Sequence, residues 1–392
     1  MAQASIGVAV IGAGMAGRAH AAGYRSATTV YGPGLPEIRL VAIADVNEAF
    51  AADTARRFGF ERAETSWQAV AEAPDVDVVS IVVANHLHRE IAEGLFAAGK
   101  HVLCEKPMAP SSEDAEAMVA AARASGRKAG IGFVFRRSPA IGAVRELIGD
   151  GGLGRPLNFD GHYWCDYGAD PGRPMSWRYK GEPGSGALAD IGSHMIDTAE
   201  FLCGPVDGVR GAILPTMIAE RAVPLGAAVG HAAAEVSDVR EPVENEDLAS
   251  FMLRFASGAT GTISVSRVAF GHPNALAFEL FASSGAAKFD LERASEILVA
   301  DGAPPAVTQG FRQVLIGPAH PYLAGGMAMD FPGVGYGQND LFTYQARAFL
   351  EQVAGVDGLP RQATFEEGLH NLRVLDAVAA SAKGGGAEVA VG

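Results

Sequence analysis

The chain has 392 residues, 48% hydrophobic and 19% charged, with a formal net charge of −14. That composition excludes a disordered chain and gives length for about two domains. It carries no basic run, which speaks against a nucleic-acid partner, because binding a phosphate backbone needs clustered Lys and Arg. The cysteines are Cys104, Cys165 and Cys203, none at C-x-x-C spacing, so a disulfide framework or structural zinc site is not expected and a reducing cytosol fits. The N-terminus lacks a basic segment followed by an apolar one, and its apolar run Ile6–Ile11 is too short to span a membrane. A cytoplasmic protein without a membrane partner is expected.

Ile6–Ile11 has the form of a buried strand. It runs into Gly12-Ala13-Gly14-Met15-Ala16-Gly17, a G-x-G-x-x-G turn, and Arg18–Tyr24 then predicts a helix. Strand, glycine turn and helix are the context of a dinucleotide-binding fingerprint. Gly12 permits the tight turn, Gly14 lets a pyrophosphate approach, and Gly17 lets helix and strand pack closely. The helix N-terminus, with Met15 and Ala16, offers N–H groups and a positive dipole end to the phosphates. The strand Arg39–Ala44 ends in Asp45. A carboxylate there accepts from ribose hydroxyls and repels a 2′-phosphate, which favours NAD over NADP. Asp45 lies 33 residues after Gly12, against the usual ~20; an inserted loop over Thr28–Pro36 accounts for the excess. A turn or helix-cap role for Asp45 is the alternative.

Helices are expected at Ala49–Phe58, Trp67–Ala73, Arg89–Ala98 and Ser111–Ser125, and strands at Val76–Val83, Lys100–Cys104 and Ala129–Phe135. Their alternation predicts a doubly wound parallel sheet. Val102-Leu103-Cys104 leads into Glu105-Lys106-Pro107. The proline fixes φ and biases Lys106 towards an extended conformation. The lysine is thereby held at a strand's carboxyl end, where open α/β sheets bind ligands.

The pattern then changes. Helices are expected at Pro139–Ile148, Leu188–Leu202, Phe342–Ala354 and Phe365–Ala382. Strand-like runs at Leu157–Tyr163, Val209–Leu214, Leu248–Phe255, Thr260–Val268, Ala275–Phe281, Ala287–Asp290 and Ile297–Ala300 follow without alternating helices. They imply a largely antiparallel sheet and an α+β second domain. Pro215–Pro242 has no assigned structure. The division expected is 1–135 and 136–392, with the last helices packing back on the first domain.

In Gly186-Ala187-Leu188-Ala189-Asp190-Ile191-Gly192-Ser193-His194, a helix sets Asp190 and His194 four apart on one face, with Asp197 three further on. A carboxylate so placed orients an imidazole for acid–base work. A metal site formed by the three, or a structural polar network, remains open.

Together, Gly12–Gly17, Glu105-Lys106-Pro107 and Gly186–His194 resemble the glucose–fructose oxidoreductase / inositol dehydrogenase / MocA family along nearly the whole chain. Phe135-Arg136-Arg137-Ser138-Pro139, Trp177-Arg178 and Gly335–Asp340 support the match. Where the family has T-P-N-x-x-H, this chain has Val83-Ala84-Asn85-His86-Leu87-His88. The resemblance implies a Rossmann domain followed by an open-faced sheet domain that builds homodimers or homotetramers. It implies NAD-dependent oxidation of a secondary hydroxyl of a sugar, anhydro-sugar or cyclitol, with Lys106, Asp190 and His194 as the catalytic set. Cofactor contacts are then expected from Asn85, His88, Glu105, Lys106, Arg136 and Trp177. Substrate contacts are expected from Lys106, Asp190, His194, Asp197, His162, Tyr163 and Tyr336, with His320 a weaker candidate, and no metal is expected. A partly desolvated lysine near another cation has a lowered pKa, so either Lys106 or His194 serves as base. The alternatives are a glycoside-cleaving enzyme that oxidises the ring transiently and a non-catalytic nucleotide-sensing regulator.

Overall fold

The computed structural model describes residues 5–32, 34–181, 184–226, 235–302, 307, 309–356 and 358–392. They form two compact units, Met1–Pro139 with Gly317–His370, and Ala140–Ile316 with Asn371–Gly392. The segment 317–370, beyond the boundary expected at 135, clusters with the first unit.

The first unit begins β1 (Ser5–Ile11), α1 (Met15–Val30), β2 (Glu37–Ala44), α2 (Glu48–Phe58), β3 (Arg62–Glu64) and α3 (Trp67–Glu72). It continues β4 (Val78–Ile81), α4 (His88–Ala97), β5 (His101–Cys104), α5 (Ser112–Ser125) and β6 (Ala129–Ile131). Among the described residues the sheet order is β3-β2-β1-β4-β5-β6, with every pairing parallel. The strands are apolar because helices cover both faces. Ile6, Val8, Val10, Val78 and Leu103 share one core with Tyr24 of α1 and Phe349.

Several expectations are redrawn. The segment Thr28–Val30 is helix, not inserted loop: α1 runs 16 residues, Ala27 is buried, and the Thr28 and Thr29 hydroxyls bond back to Arg25 O. The late position of Asp45 is therefore owed partly to helix length and partly to the link between Val30 and Glu37. The strand expected at Ala129–Phe135 stops at Ile131 and tightens into a 3-10 turn, Val134–Arg137. The cause is Arg137, which is buried and donates to Pro360 O at 2.6 Å, Arg361 O at 2.8 Å and Gln362 Oε1 at 2.7 Å. The short β3 was not foreseen; it has three residues and little apolar content.

In the second unit come α6 (Pro139–Gly149), β7 (Pro156–Trp164), α7 (Ser193–Cys203), β8 (Val206–Ile213), β9 (Glu220–Pro224), β10 (Val236–Pro242), β11 (Leu248–Phe255) and β12 (Thr260–Ser266). Then follow β13 (Ala275–Ala282), β14 (Gly285–Asp290), β15 (Glu296–Asp301) and β16 (Arg312–Leu315). The helix α8 (Gln338–Ala354) lies in the first unit, α9 (Phe365–Lys383) begins in the first and ends in the second, and β17 (Val389–Ala390) closes the chain. The large sheet runs β16-β15-β14-β13-β7-β12-β11-β8-β17. Only β7 with β12 is parallel among its described pairs, so the sheet is mixed and largely antiparallel. The strands β9 and β10 pair with each other inside Pro215–Pro242, a stretch left unassigned by the sequence; 227–234 lie outside the described residues.

Among the described residues no helix is long and apolar enough to cross a membrane, and no group of three or more His, Cys, Asp or Glu could hold a metal ion. The three cysteines are buried and form no disulfide with one another.

Burial lowers the pKa of His101 and of His320 to about 4, Arg127 adding to the effect at His101. Each Nδ1 accepts a backbone N–H, from Lys128 at 2.9 Å and Tyr322 at 3.2 Å, so protonation also costs a hydrogen bond. Once unfolded, each imidazole titrates near 6.5, so the unfolded chain takes the proton first. Their contribution to stability is therefore present above pH 6.5 and lost as pH falls towards about 4. The thermal midpoint should drop through that window, and His101→Gln with His320→Gln should flatten the slope; an unchanged slope in the double variant would refute the assignment.

Candidate active site

The candidate residues fall into two sets, one in each unit. In the first unit the register of the parallel sheet builds a row at the carboxyl ends of its strands. Val82 N donates to Ile11 O at 2.8 Å, Glu105 N to Ile81 O at 3.0 Å, and Gly132 N to Cys104 O at 2.8 Å. Strand order reverses between β1 and β4, the switch point at which such sheets bind ligands. Gly12–Gly17, Val83–His88 and Glu105–Pro107 all leave the sheet along this row.

The glycine loop has the close approaches its residue types imply. Gly12 has φ +106°, and a Cβ there would stand 2.1 Å from Val82 O; a Cβ on Gly17 would stand 1.8 Å from Gly12 O. A Cβ on Gly14 would meet nothing within 4 Å, so the chain leaves a cradle above the start of α1. That helix has no side-chain cap and no acidic residue in its first turn, leaving N–H groups and dipole directed at the cradle. Met15 is exposed beside it. Asp45 stands at the end of β2, its Oδ2 accepting from Ala13 N and its Oδ1 from Asn47 N, both at 2.8 Å. The carboxylate thus anchors the loop and keeps lone pairs for further donors. The helix cap of α2 is Asn47, not Asp45. These features fit the pyrophosphate and ribose of a dinucleotide.

Asn85 is buried in a 3-10 turn after β4. His88 is 1% exposed, and its two nitrogens lie 3.2 Å from Met108 O and 3.1 Å from Val83 O. Burial lowers its pKa. Its polar atoms thus face the carbonyls of the loops after β4 and β5, and the neutral imidazole donates its single N–H to one of them. Arg136 is directed at Glu367, at 2.7 Å. Burial raises the Glu367 pKa; hydrogen bonds from Arg361 and Arg136, with the Arg136 charge, outweigh it and bring the carboxyl down to about 2. Glu367 also accepts from Thr364 N, and its own N–H bonds Thr364 Oγ1, a capping box at the start of α9. The Lys106–Pro107 peptide is cis, and Lys106 N donates to Glu105 Oε2 at 3.1 Å. The Tyr336 hydroxyl lies 3.3 Å from Ser138 Oγ.

In the second unit the helix expected over Leu188–Leu202 opens with a π-turn, Leu188–Gly192, and becomes α-helical at Ser193. The Asp190–His194 step therefore spans widened turns, a feature frequent at functional sites. A Cβ on Gly192 would stand 3.2 Å from Leu188 Cδ1 and in ordinary contact with Val265 of β12 at 3.8 Å. The turn starts against Glu246, whose Oε1 accepts from Leu188 N at 2.8 Å. Gly186 has φ +93°, and a Cβ there would stand 2.3 Å from Glu246 Oε1, so the position takes glycine on both counts.

Asp190 Oδ2 accepts from the Tyr167 hydroxyl at 2.9 Å. Burial, with the Asp190 charge next, raises the Tyr167 pKa, so the hydroxyl keeps its proton and donates. His194 and Asp197 are buried on α7, and the Tyr163 ring lies 6.1 Å from that of His194. Tyr163 donates to Asn274 Oδ1 at 2.7 Å. His162 is separated from this group. Neighbouring strand residues face opposite sides, so His162 turns to the other face, stacked on Trp164 at 3.7 Å. It lines a cavity of about 500 Å³ with Asp160, Lys288 and Asp290. Trp177 is half exposed, with the Arg178 guanidinium 4.6 Å over its ring.

The segment around Arg178 and Tyr179 is tied down by charge. Arg267 pairs with Asp247 at 2.7 Å, both fully buried, and donates to Arg178 O and Asn245 Oδ1. Tyr179 lies between the guanidinium groups of Arg267 and Arg221, at 4.4 and 4.1 Å.

Sequence reasoning missed Tyr167, Glu246, Asn274, Asp247 and Arg267, which act through long-range contacts. It also missed His20, Tyr24 and Ser80. For two of these a signal existed: Gly17, His20, Ala21 and Tyr24 follow helical spacing, and that stripe is the buried face of α1.

Residues 6–133 match the model of an oxidoreductase family with an NAD-binding Rossmann fold, and residues 141–288 match the GFO/IDH/MocA C-terminal domain. Levoglucosan dehydrogenase of Pseudarthrobacter phenanthrenivorans is 38% identical over 382 residues, 96% of each chain. The chain belongs to the Gfo/Idh/MocA oxidoreductase family. Inositol 2-dehydrogenase of Rhizobium meliloti is 29% identical, covering 75% of this chain and 78% of its own. A solved structure of levoglucosan dehydrogenase in complex with NADH and levoglucosan superposes with a TM-score of 0.89 at 36% identity, covering 99% of both chains.

Asp45→Ala should weaken NADH binding at least ~10-fold, since a hydrogen bond to a charged acceptor is worth about 1.5–3 kcal/mol. It should also narrow the gap between NADH and NADPH. Fluorescence titration with both nucleotides checks this; an unchanged ratio would remove Asp45 from nucleotide choice.

Proposed function

We propose that the protein is an NAD-dependent dehydrogenase that oxidises a secondary hydroxyl of a sugar, anhydro-sugar or cyclitol to the ketone. The observation that carries this reading is the likeness to levoglucosan dehydrogenase along nearly the whole of both chains. The first unit's row supports it, because a cofactor cradle and a lysine leave the same sheet edge.

In this reading the N–H groups at Gly14, Met15, Ala16 and Gly17 hold the pyrophosphate, the turn at Gly12 shapes the cradle, and Asp45 accepts from the adenosine ribose. Asn85, Glu105, Arg136 and Trp177 serve the cofactor directly or by shaping its surroundings. Bound NAD supplies the hydride acceptor. The substrate loses its carbinol hydrogen as hydride and its hydroxyl hydrogen as a proton, and the C=O bond forms. Lys106 polarises the hydroxyl and holds or takes its proton. His194 is the other acceptor, and Asp190 orients it. Tyr167, donating to Asp190, keeps that carboxylate in one rotamer and directs its remaining lone pairs. Asp197, Tyr163 and Tyr336 contribute further hydroxyl contacts or the walls that carry them.

A screen of anhydro-sugars, aldoses and cyclitols, reading NADH and NADPH at 340 nm, identifies the substrate. Lys106→Ala should lower kcat at least ~10²-fold, the usual contribution of a positioned acid–base group, while NADH still binds. Full turnover by that variant would sink the reading.

The active form is proposed to be a cytoplasmic homodimer or homotetramer built through the outer face of the large sheet. Ser250, Thr260 and Thr262 are small residues on that face, and Met252 and Phe281 are exposed on it. Light scattering should give two or four chain masses, and Met252→Asp should lower the mass; a monomer mass for the unaltered protein would end this proposal.

A further inference from the structure

A chain of four polar side chains crosses the apolar core of the first unit. Tyr24 and His20 lie on the buried face of α1, and Ser80 lies in β4, all buried. The Tyr24 hydroxyl is 2.9 Å from Ser80 Oγ, and Ser80 Oγ is 3.2 Å from His20 Nδ1. His20 Nε2 is 2.8 Å from Glu105 Oε1. The other oxygen of Glu105 accepts the backbone N–H of Lys106 at 3.1 Å.

The donors follow from valence. A carboxylate only accepts, so Nε2 carries the proton. In the neutral imidazole Nδ1 then accepts from the Ser80 hydroxyl, and Ser80 accepts from Tyr24. Burial raises the Tyr24 pKa, so its hydroxyl keeps its proton. In that form every hydrogen points the same way, from Tyr24 to Glu105.

Such a chain is costly unless fully paired, and apolar groups of the same shape would be nearly neutral in its place. The strand does not need it, because β5 is already bonded on both sides through Glu105 N and Cys104 O. The surroundings nevertheless make room for the carboxylate: a Cβ on Gly132 would stand 2.3 Å from Glu105 Oε1. Phe342 closes on the His20 ring edge at 5.4 Å. What remains fixed at the end of the chain is the peptide of Lys106.

We propose that His20 is a positioning residue. It holds Glu105, and Glu105 holds the Lys106 peptide, so the lysine leaves β5 in one direction. Ser80 and Tyr24 fix the tautomer and orientation of His20. The proposal rests on the role given to Lys106 above.

The test uses the full chain, the substrate from the screen and a double-mutant cycle. His20→Leu should lower kcat ~10–100-fold, the scale of a small misplacement of a reacting group. The dissociation constant of NADH should change less than ~3-fold, since the loss lies in the chemical step. His20→Gln, which can still donate to Glu105, should recover several-fold of that loss. In a Lys106→Ala background His20→Leu should cost nothing further. If the leucine variant does not fold, Ser80→Ala serves: it removes the donor to Nδ1 and should lower kcat ~3–10-fold in the native background and not in the Lys106→Ala one. Unchanged kcat in His20→Leu, or equal losses with and without Lys106, would overturn the proposal while Lys106→Ala alone keeps its large loss of kcat. Full activity of Lys106→Ala itself would overturn the reading of the lysine, and this proposal with it.

Discussion

The parallel register of β1, β4, β5 and β6 is the constraint on which the first unit depends. Each hydrogen bond of the final row ties the residue after one strand to the last residue of its neighbour. The glycine turn, the Asn85 turn and the Lys106 turn are therefore fixed at one level by the backbone alone. Side chains then refine that edge. Asp45 anchors the glycine loop, His88 packs between the carbonyls of two loops, and Glu105 joins the helix side of the sheet to the lysine's peptide.

The second unit solves a different problem. Its candidate residues sit on a π-turn and the first turns of α7, elements with no sheet register of their own. They are held instead by buried charge. Glu246 receives the start of the turn, and Asp247 with Arg267 fixes the preceding segment. Removing one partner of such a pair costs about 3–5 kcal/mol, because the other charge stays buried and unpaired. The Asp247 carboxylate is moreover used twice over, since its second oxygen accepts from Met217 N and Ile218 N.

Function within the family follows from this division of labour. A doubly wound sheet gives a nucleotide cradle by backbone geometry, which many sequences can supply. In the second unit, by contrast, side chains such as Tyr163, Tyr167 and Asn274 are set by hydroxyl and amide partners within the unit, and in the proposed function they shape the choice of substrate. A site with committed hydrogen-bond partners rejects ligands that leave them unpaired.

The sequence by itself determined the nucleotide fold, its glycine turn, Asp45 at the second strand's end, and Lys106 at the fifth, because these depend on short-range periodicity and on glycine and proline stereochemistry. It also showed the change to a strand-rich second half. Only the tertiary structure decided that Thr28–Val30 is helix, that β6 stops at Ile131, and that Leu188–Gly192 is a π-turn. It also decided that Tyr163 and not His162 faces α7, since neither pattern nor propensity says which face of β7 meets that helix. His20, Ser80 and Glu105 lie 60 and 25 residues apart, and no local pattern links them. They meet because parallel strands separated by helices bring distant residues into one row, and a buried polar group there must find its partner in space.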